Sequence, residues 1–227
     1  MNVLVTGATS LLGRSVVGRL VGRGDTVSVL QRHPSGLGVT EHLGDITDQQ
    51  VVASSMAGAE AVVHLAARVA VTGPWADFEA VNVHGTRNVV EAARAAAVRR
   101  FVQVSSPSVA YHGQSLIGSP AQPADPFRAR GHYARSKASA ELLALAADSP
   151  DMSVVAVRPH LVWGPGDTQL IGRIIDRARA GRLATVGSGA ALIDTTYIDN
   201  AADALVAALD RAPDIGGRAL VVTNGEP

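Results

Sequence analysis

The sequence predicts an α/β fold in which a doubly wound parallel sheet is covered by helices on both faces. Three observations carry this. Short β-branched runs alternate with longer helical patterns along most of the 227 residues. Those runs show almost no polar alternation, the mark of strands buried on both faces. A glycine-bearing turn joins the first strand directly to the first helix. In such a sheet, ligands lie at the carboxyl ends of the strands.

The elements follow in order. Val3-Leu4-Val5 is the first strand, and Leu12 to Val21 carries apolar residues at 12, 16, 17, 20 and 21, one stripe of an amphipathic helix. Val27-Ser28-Val29-Leu30 is the second strand, a third short one precedes Asp45, and Ala61 to Leu65 is the fourth. A helix is expected from about Phe78 to Ala97, then a strand at Phe101 to Val104. Gly113, Gly118, Pro120, Pro123, Pro126 and Gly131 mark Tyr111 to Gly131 as a long loop of the kind that often carries function. An Ala-rich helix from Tyr133 to Ala147 and a strand at Val154 to Val157 complete a domain expected over 1–158.

From 159 to 227 a second section is expected, interleaved with that core. It holds a helix near Leu170 to Ala180, a strand at Leu192 to Ile198, a helix from Asn200 to Leu209 and a strand at Ala219 to Val222. Thr223 to Pro227 reads as a turn entering something further, so the expectation is a small, truncated C-terminal lobe.

Composition narrows the function classes. Hydrophobic residues are 47% and charged ones 18%, which suits a compact core and excludes disorder. Lys+Arg and Asp+Glu both number 20, so no net field favours nucleic acid or anionic lipid. The absence of cysteine removes disulfides, thiolate metal sites and a thiol nucleophile together. Seven scattered histidines show no pair at ligand spacing, so no metal is expected. No signal peptide pattern and no apolar run of ~18 residues is present, so the expected address is the cytoplasm, with no membrane span.

The turn Thr6-Gly7-Ala8-Thr9-Ser10-Leu11-Leu12-Gly13 stands between strand and helix. Gly7 lets the backbone approach a pyrophosphate, the helix N-terminus offers free N–H groups, and Gly13 permits close helix–strand packing. Ser10 replaces a third glycine and still has a hydroxyl to donate to phosphate. At the end of the second strand stand Gln31 and Arg32, with no carboxylate to bind a ribose 2′-hydroxyl. Arg32 is read either as a partner for a 2′-phosphate, favouring NADP with NAD as the alternative, or as a solvated surface arginine. Asp45 and Ile46 suit the adenine, Asp45 accepting from its amino group and Ile46 covering its ring. Asp45 is equally a helix cap, though Thr47 suits that role better.

Tyr133 and Lys137 are four residues apart, on one face of a helix. A phenol of ordinary pKa ~10 is a poor acid–base group at neutral pH, but a neighbouring cation favours its ionised form. Ser105 and Ser106 close the strand before the long loop, where a hydroxyl can bind a substrate carbonyl.

Together these residues resemble the extended short-chain dehydrogenase/reductases of the NAD-dependent epimerase/dehydratase superfamily, which have the Rossmann fold. The likeness runs through Thr6 to Gly13, His64 to Ala67, Asn82 to Thr86, Ser105-Ser106, Tyr133 with Lys137, and Arg158 to Gly166. Ser105 to Val109, Arg158 to Asp167, Asp194 to Asp203 and Asn224 to Pro227 resemble the 3β-hydroxysteroid dehydrogenase-like branch, and within it the 2-alkyl-3-oxoalkanoate reductases of bacterial olefin biosynthesis.

The resemblance implies that Ser106 orients a carbonyl, Tyr133 transfers a proton, and Lys137 binds the nicotinamide ribose while lowering the tyrosine pKa. It implies a cofactor lined by Leu65, Ala66, Ala67, Val104, Pro159 and Val162. Asn82 either supports a proton relay or holds its helix in place. Ser108, His160 and Trp163 are candidate substrate contacts, the last two being equally loop-packing residues. Trp75 faces an acyl chain or anchors the core. The expected substrate is a small apolar molecule and self-association is expected. The implied reaction is reduction of a 3-oxo group, or the reverse oxidation, on an acyl or sterol-like substrate. The alternatives are a nucleotide-sugar epimerase or dehydratase and a non-catalytic dinucleotide sensor.

Overall fold

In the computed structural model, which describes residues 1–167, 171–185 and 187–226, the chain opens on β1 (Asn2–Thr6), α1 (Leu11–Gly22), β2 (Thr26–Gln31) and β3 (Thr40–Leu43). There follow α2 (Gln49–Ser55), β4 (Ala61–His64), α3 (Trp75–Phe78), α4 (Thr86–Ala95), β5 (Arg100–Val104), α5 (Gly131–Leu145) and β6 (Ser153–Pro159). The remainder is β7 (Leu161–Trp163), α6 (Ile171–Arg179), β8 (Thr195–Tyr197), α7 (Ile198–Ile215) and β9 (Ala219–Val222). Leu170 and Pro227, which the sequence reading assigns to a helix start and a final turn, lie outside the described residues.

Seven strands form one sheet in the order β3-β2-β1-β4-β5-β6-β9, every pair parallel. Successive residues of a strand point to opposite faces, and here both faces are dry. Val3 and Val5 pack with Val16, Val17 and Leu20 of α1 and Leu205 and Leu209 of α7. Leu4, Val62, Phe101 and Val154 pack with Val52, Val89 and Ala144 on the other side. Each such fully buried large side chain contributes ~1.5–3 kcal/mol relative to exposure. This double burial is why the strands read as apolar runs rather than alternating ones.

Four details depart from the sequence expectation. The helix expected over 78–97 is three pieces, because a π-helical stretch, Glu79–Gly85, separates α3 from α4 and carries Asn82. Such stretches are frequent at functional sites. The cap of α2 is neither Asp45 nor Thr47 but Asp48, whose carboxylate accepts from the N–H groups of Gln50 and Val51. The strand expected from Leu192 shrinks to β8, with Leu192 and Ile193 exposed and Ile198 already helical. β7, not foreseen, pairs parallel with β8 in a separate two-stranded sheet. The section after 158 does return to the main sheet: α7 covers β5 and β6, and β9 extends the edge beside β6.

Candidate active site

The turn after β1 is shaped by two glycines. Gly7 has φ +74°, and a Cβ there would lie 2.7 Å from the Ala66 backbone nitrogen. A Cβ on Gly13 would lie 2.5 Å from the Gly7 carbonyl oxygen. Ser10 is the N-cap of α1: its hydroxyl accepts from Gly13 N–H at 3.0 Å and donates to the Gly7 carbonyl at 2.9 Å. Both of its hydrogen bonds lie within the turn. The amides of Leu11 and Leu12 lie in the first turn, where helical N–H groups have no partner inside the helix.

A cleft of about 420 Å³ opens at the carboxyl ends of β1, β2 and β4. Gly7, Thr9 and Ser10 form one wall, and Leu65, Ala66 and Ala67 another. Gln31 and Arg32 close it at the end of β2, and Asp45 and Ile46 at the start of the link to α2. Gln31 is 5% exposed, yet both polar atoms of its amide lack a partner. Arg32 is exposed and joins none of the ion pairs found among the described residues. Asp45 accepts from the Thr47 N–H at 3.0 Å and its hydroxyl at 2.9 Å. Ile46 is buried, its carbonyl held by the Asn88 amide at 3.0 Å. The glycine cradle, the helix N-terminus and the unpartnered Gln31 amide fit a dinucleotide laid across the sheet edge.

The reactive side chains meet at the end of β5. Ser106 caps the short turn Pro107–Ala110, and its Oγ lies 2.9 Å from Ser108 Oγ. A hydrogen bond with Ser106 favours the ionised Tyr133 phenol, but burial outweighs it and raises the pKa above the ordinary value. Lys137 is 4% exposed and its Nζ donates to the Val104 carbonyl at 2.6 Å. Burial lowers its pKa to about 8, opposed by the charge of Glu141. Here the Lys137 ammonium is turned to a backbone carbonyl, and Ser106 supplies the influence that favours the phenolate.

The neighbours are held by a buried polar layer. Asn82 Oδ1 accepts from the Arg68 N–H at 2.7 Å, while its Nδ2 donates to the Arg68 carbonyl at 3.2 Å and to Ser136 Oγ at 2.8 Å. It ties the segment after β4 to α5, so of its two readings the holding role is the one displayed. Trp75 sits edge-on to His132 and under the Arg135 guanidinium, 4.3 Å from its ring centre, anchoring α3 on α5. Trp163 packs edge-on against Tyr197 at 5.2 Å, a packing role. Pro159 ends β6, Val162 lies in β7 paired with Thr196, and the His160 N–H donates to the Val222 carbonyl at 2.9 Å.

Sequence reasoning gave no role to three contributors. Arg68 lines the cleft, pairs with Asp77 at 3.1 Å and lies over the Phe78 ring. Arg158 and Glu141 form a buried ion pair. An arginine inside an otherwise apolar strand was the available signal, because a buried charge requires a partner.

The chain matches the NAD dependent epimerase/dehydratase family over residues 3–222. It is 41% identical over 238 residues to a 2-alkyl-3-oxoalkanoate reductase of Stenotrophomonas maltophilia, covering 100% of this chain and 72% of that protein. It is 36% identical over 243 residues to a 2-alkyl-3-oxoalkanoate reductase of Shewanella oneidensis, covering 100% of this chain and 62% of that one. Among solved structures, a short-chain dehydrogenase/reductase superfamily protein from Agrobacterium tumefaciens with bound NAD superposes with a TM-score of 0.84 at 27% identity, over 100% of this chain and 79% of that chain.

Proposed function

The chain belongs to the NAD dependent epimerase/dehydratase family, and on that premise we propose that it is an NADPH-dependent reductase of a 3-oxo group on an apolar acyl or sterol-like substrate. A 2-alkyl-3-oxoalkanoate is the leading candidate, with oxidation of the 3-hydroxy group as the reverse reaction. The observation that carries this reading is the meeting of Ser106, Tyr133 and Lys137 at the end of β5, supported by the 41% identical relative. When bound, the dinucleotide supplies the hydride equivalent that reduces a carbonyl carbon. Ser106 donates a hydrogen bond to the substrate oxygen. Tyr133 gives that oxygen its proton, and Lys137 holds a ribose hydroxyl with its ammonium. The end of β2 supports NADP over NAD, because Gln31 and Arg32 offer donors and a charge where a carboxylate would repel a 2′-phosphate.

The test is oxidation of a 2-alkyl-3-hydroxy acid with NADP⁺, since 3-oxo acids lose carbon dioxide on standing. Turnover on the hydroxy acid and none on a nucleotide sugar supports the proposal. The opposite pattern would overturn it.

A further inference from the structure

The reaction steps above leave one pair of buried charges unused. Arg158 on β6 and Glu141 on α5 are each 1% exposed. Arg158 Nε donates to Glu141 Oε2 at 2.9 Å and Nη2 to Oε1 at 2.5 Å. The third guanidinium nitrogen, Nη1, donates to the Gln122 carbonyl at 2.7 Å, in the loop between the Ser106 turn and α5. Three residues further on, the Asp125 N–H donates to the Val109 carbonyl at 3.0 Å, joining the same loop to the Ser106 turn. Desolvating two charges is costly, and apolar residues of the same volume commonly serve stability as well or better. What this pair does that apolar residues cannot is grip the loop and place a carboxylate beside α5's reactive face. Tyr133, Lys137 and Glu141 recur every four residues, so they share one stripe of that helix.

We propose that the Glu141–Arg158 pair is a positioning device for the reaction, fastening the loop over 111–131 to the end of β6 and dividing the charge of Glu141 between Arg158 and Lys137. This rests on the roles given above to Tyr133 and Lys137. Lys137 is faced by His64 and the Val104 carbonyl from the sheet and by Glu141 from α5, with Tyr133 one turn before it on the same stripe and Arg158 reaching it through Glu141. His64 is buried and neutral, so Glu141 supplies the negative charge that sustains the ammonium against burial. Two opposite effects follow. Removing the carboxylate weakens the ammonium. Removing Arg158 releases the whole carboxylate to it.

Lys137 is the single lysine of the sequence, so protein labelled with ¹³C-lysine gives one side-chain signal whose titration can be followed without substrate. Glu141→Gln is expected to move that titration down by about one pH unit and Arg158→Met to move it up by a similar amount. Backbone hydrogen exchange over 111–131 is expected to quicken about tenfold or more in Arg158→Met and Arg158→Lys, with β1 unchanged. Shifts in the same direction for both neutral variants, or no shift, overturn the charge-sharing half. Unchanged exchange overturns the fastening half.

Should a single variant fail to fold, the charge-free pair Glu141→Leu with Arg158→Met keeps the volume. It is expected to fold, to titrate low at Lys137 and to exchange fast in the loop. Wild-type behaviour in that double variant overturns the proposal. These readouts need no turnover, so a failure to oxidise the hydroxy acid falls on the reading of the reaction alone.

Discussion

The Thr6 hydroxyl and Nδ1 of His64 meet at 2.6 Å, with the Thr86 hydroxyl 3.0 Å from the other ring nitrogen. Thr6 Oγ1 also accepts from the Ala66 N–H at 3.1 Å, so the imidazole sets the spacing between the end of β1 and the backbone that walls the cleft.

That ring is fully buried, and burial, with the Lys137 charge adding to it, pushes its pKa down to about 3. In the unfolded chain it titrates near ~6.5. Between those values the unfolded chain holds the extra proton. The contribution of His64 is therefore complete above ~6.5 and falls by up to ~1.4 kcal/mol per pH unit on acidification towards 3. Urea melts at pH 7 and 4.5 measure the slope. His64→Gln is expected to be less stable at pH 7 and to lose most of the slope. An undiminished slope would assign it to other groups.

Tyr133→Phe removes the transferable proton and keeps the ring. Turnover is expected to fall by ~10²–10⁴-fold, the usual worth of a general acid–base group. NADPH binding is expected to stay nearly intact. Near-parental turnover would exclude Tyr133 as the proton donor.

Gly7→Ala adds a methyl at positive φ and against the Ala66 backbone. It is expected to cost ~1–3 kcal/mol of stability and to abolish tight dinucleotide binding. Gly18→Ala is the control: the site is exposed on α1 with nothing within 4 Å of an added Cβ. There the substitution is expected to stabilise by ~0.4–1 kcal/mol. Thermal melts and cofactor titration separate the two. Equal behaviour would remove the close approach at Gly7 from the account of the site.

NADPH is expected to bind more tightly than NADH, and Arg32→Ala to shrink the gap by ~1–3 kcal/mol, the scale of a charge-assisted hydrogen bond. Fluorescence titration with both cofactors decides it. Equal affinities in the parent protein would leave Arg32 a surface charge.

Much of this is legible in the amino-acid sequence. The parallel sheet announced itself because Val154 and Val155 are buried on opposite faces of one strand, so that strand carries no alternation. The Gly7 turn and the Tyr133–Lys137 pair were legible because each is a local spacing. What escaped was non-local or competitive. That the Ser10 hydroxyl closes its own turn between Gly7 and Gly13 is set by three-dimensional geometry, not by spacing. Asp48 beat Thr47 to the cap of α2 through two backbone N–H bonds that spacing alone does not rank. The partnership of Glu141 with Arg158 spans two elements, and no periodicity records it. The direction of the Tyr133 shift depends on burial, which a helix-face argument leaves out.

β6 and β9 are neighbours in the sheet but distant in the chain, with β7, α6, β8 and α7 between them. On the ribosome, the outer edge of β6 therefore waits, unpaired, until residue 222 has been added. At ~5–20 residues per second that wait lasts several seconds. An apolar strand with free N–H and C=O groups is a template for another chain, and Val154, Val155 and Val157 make β6 such a strand. The hazard in biosynthesis thus lies at the opposite side of the sheet from the dinucleotide cleft. A change that weakens β9 is expected to show first in the yield of soluble protein, before it shows in the chemistry.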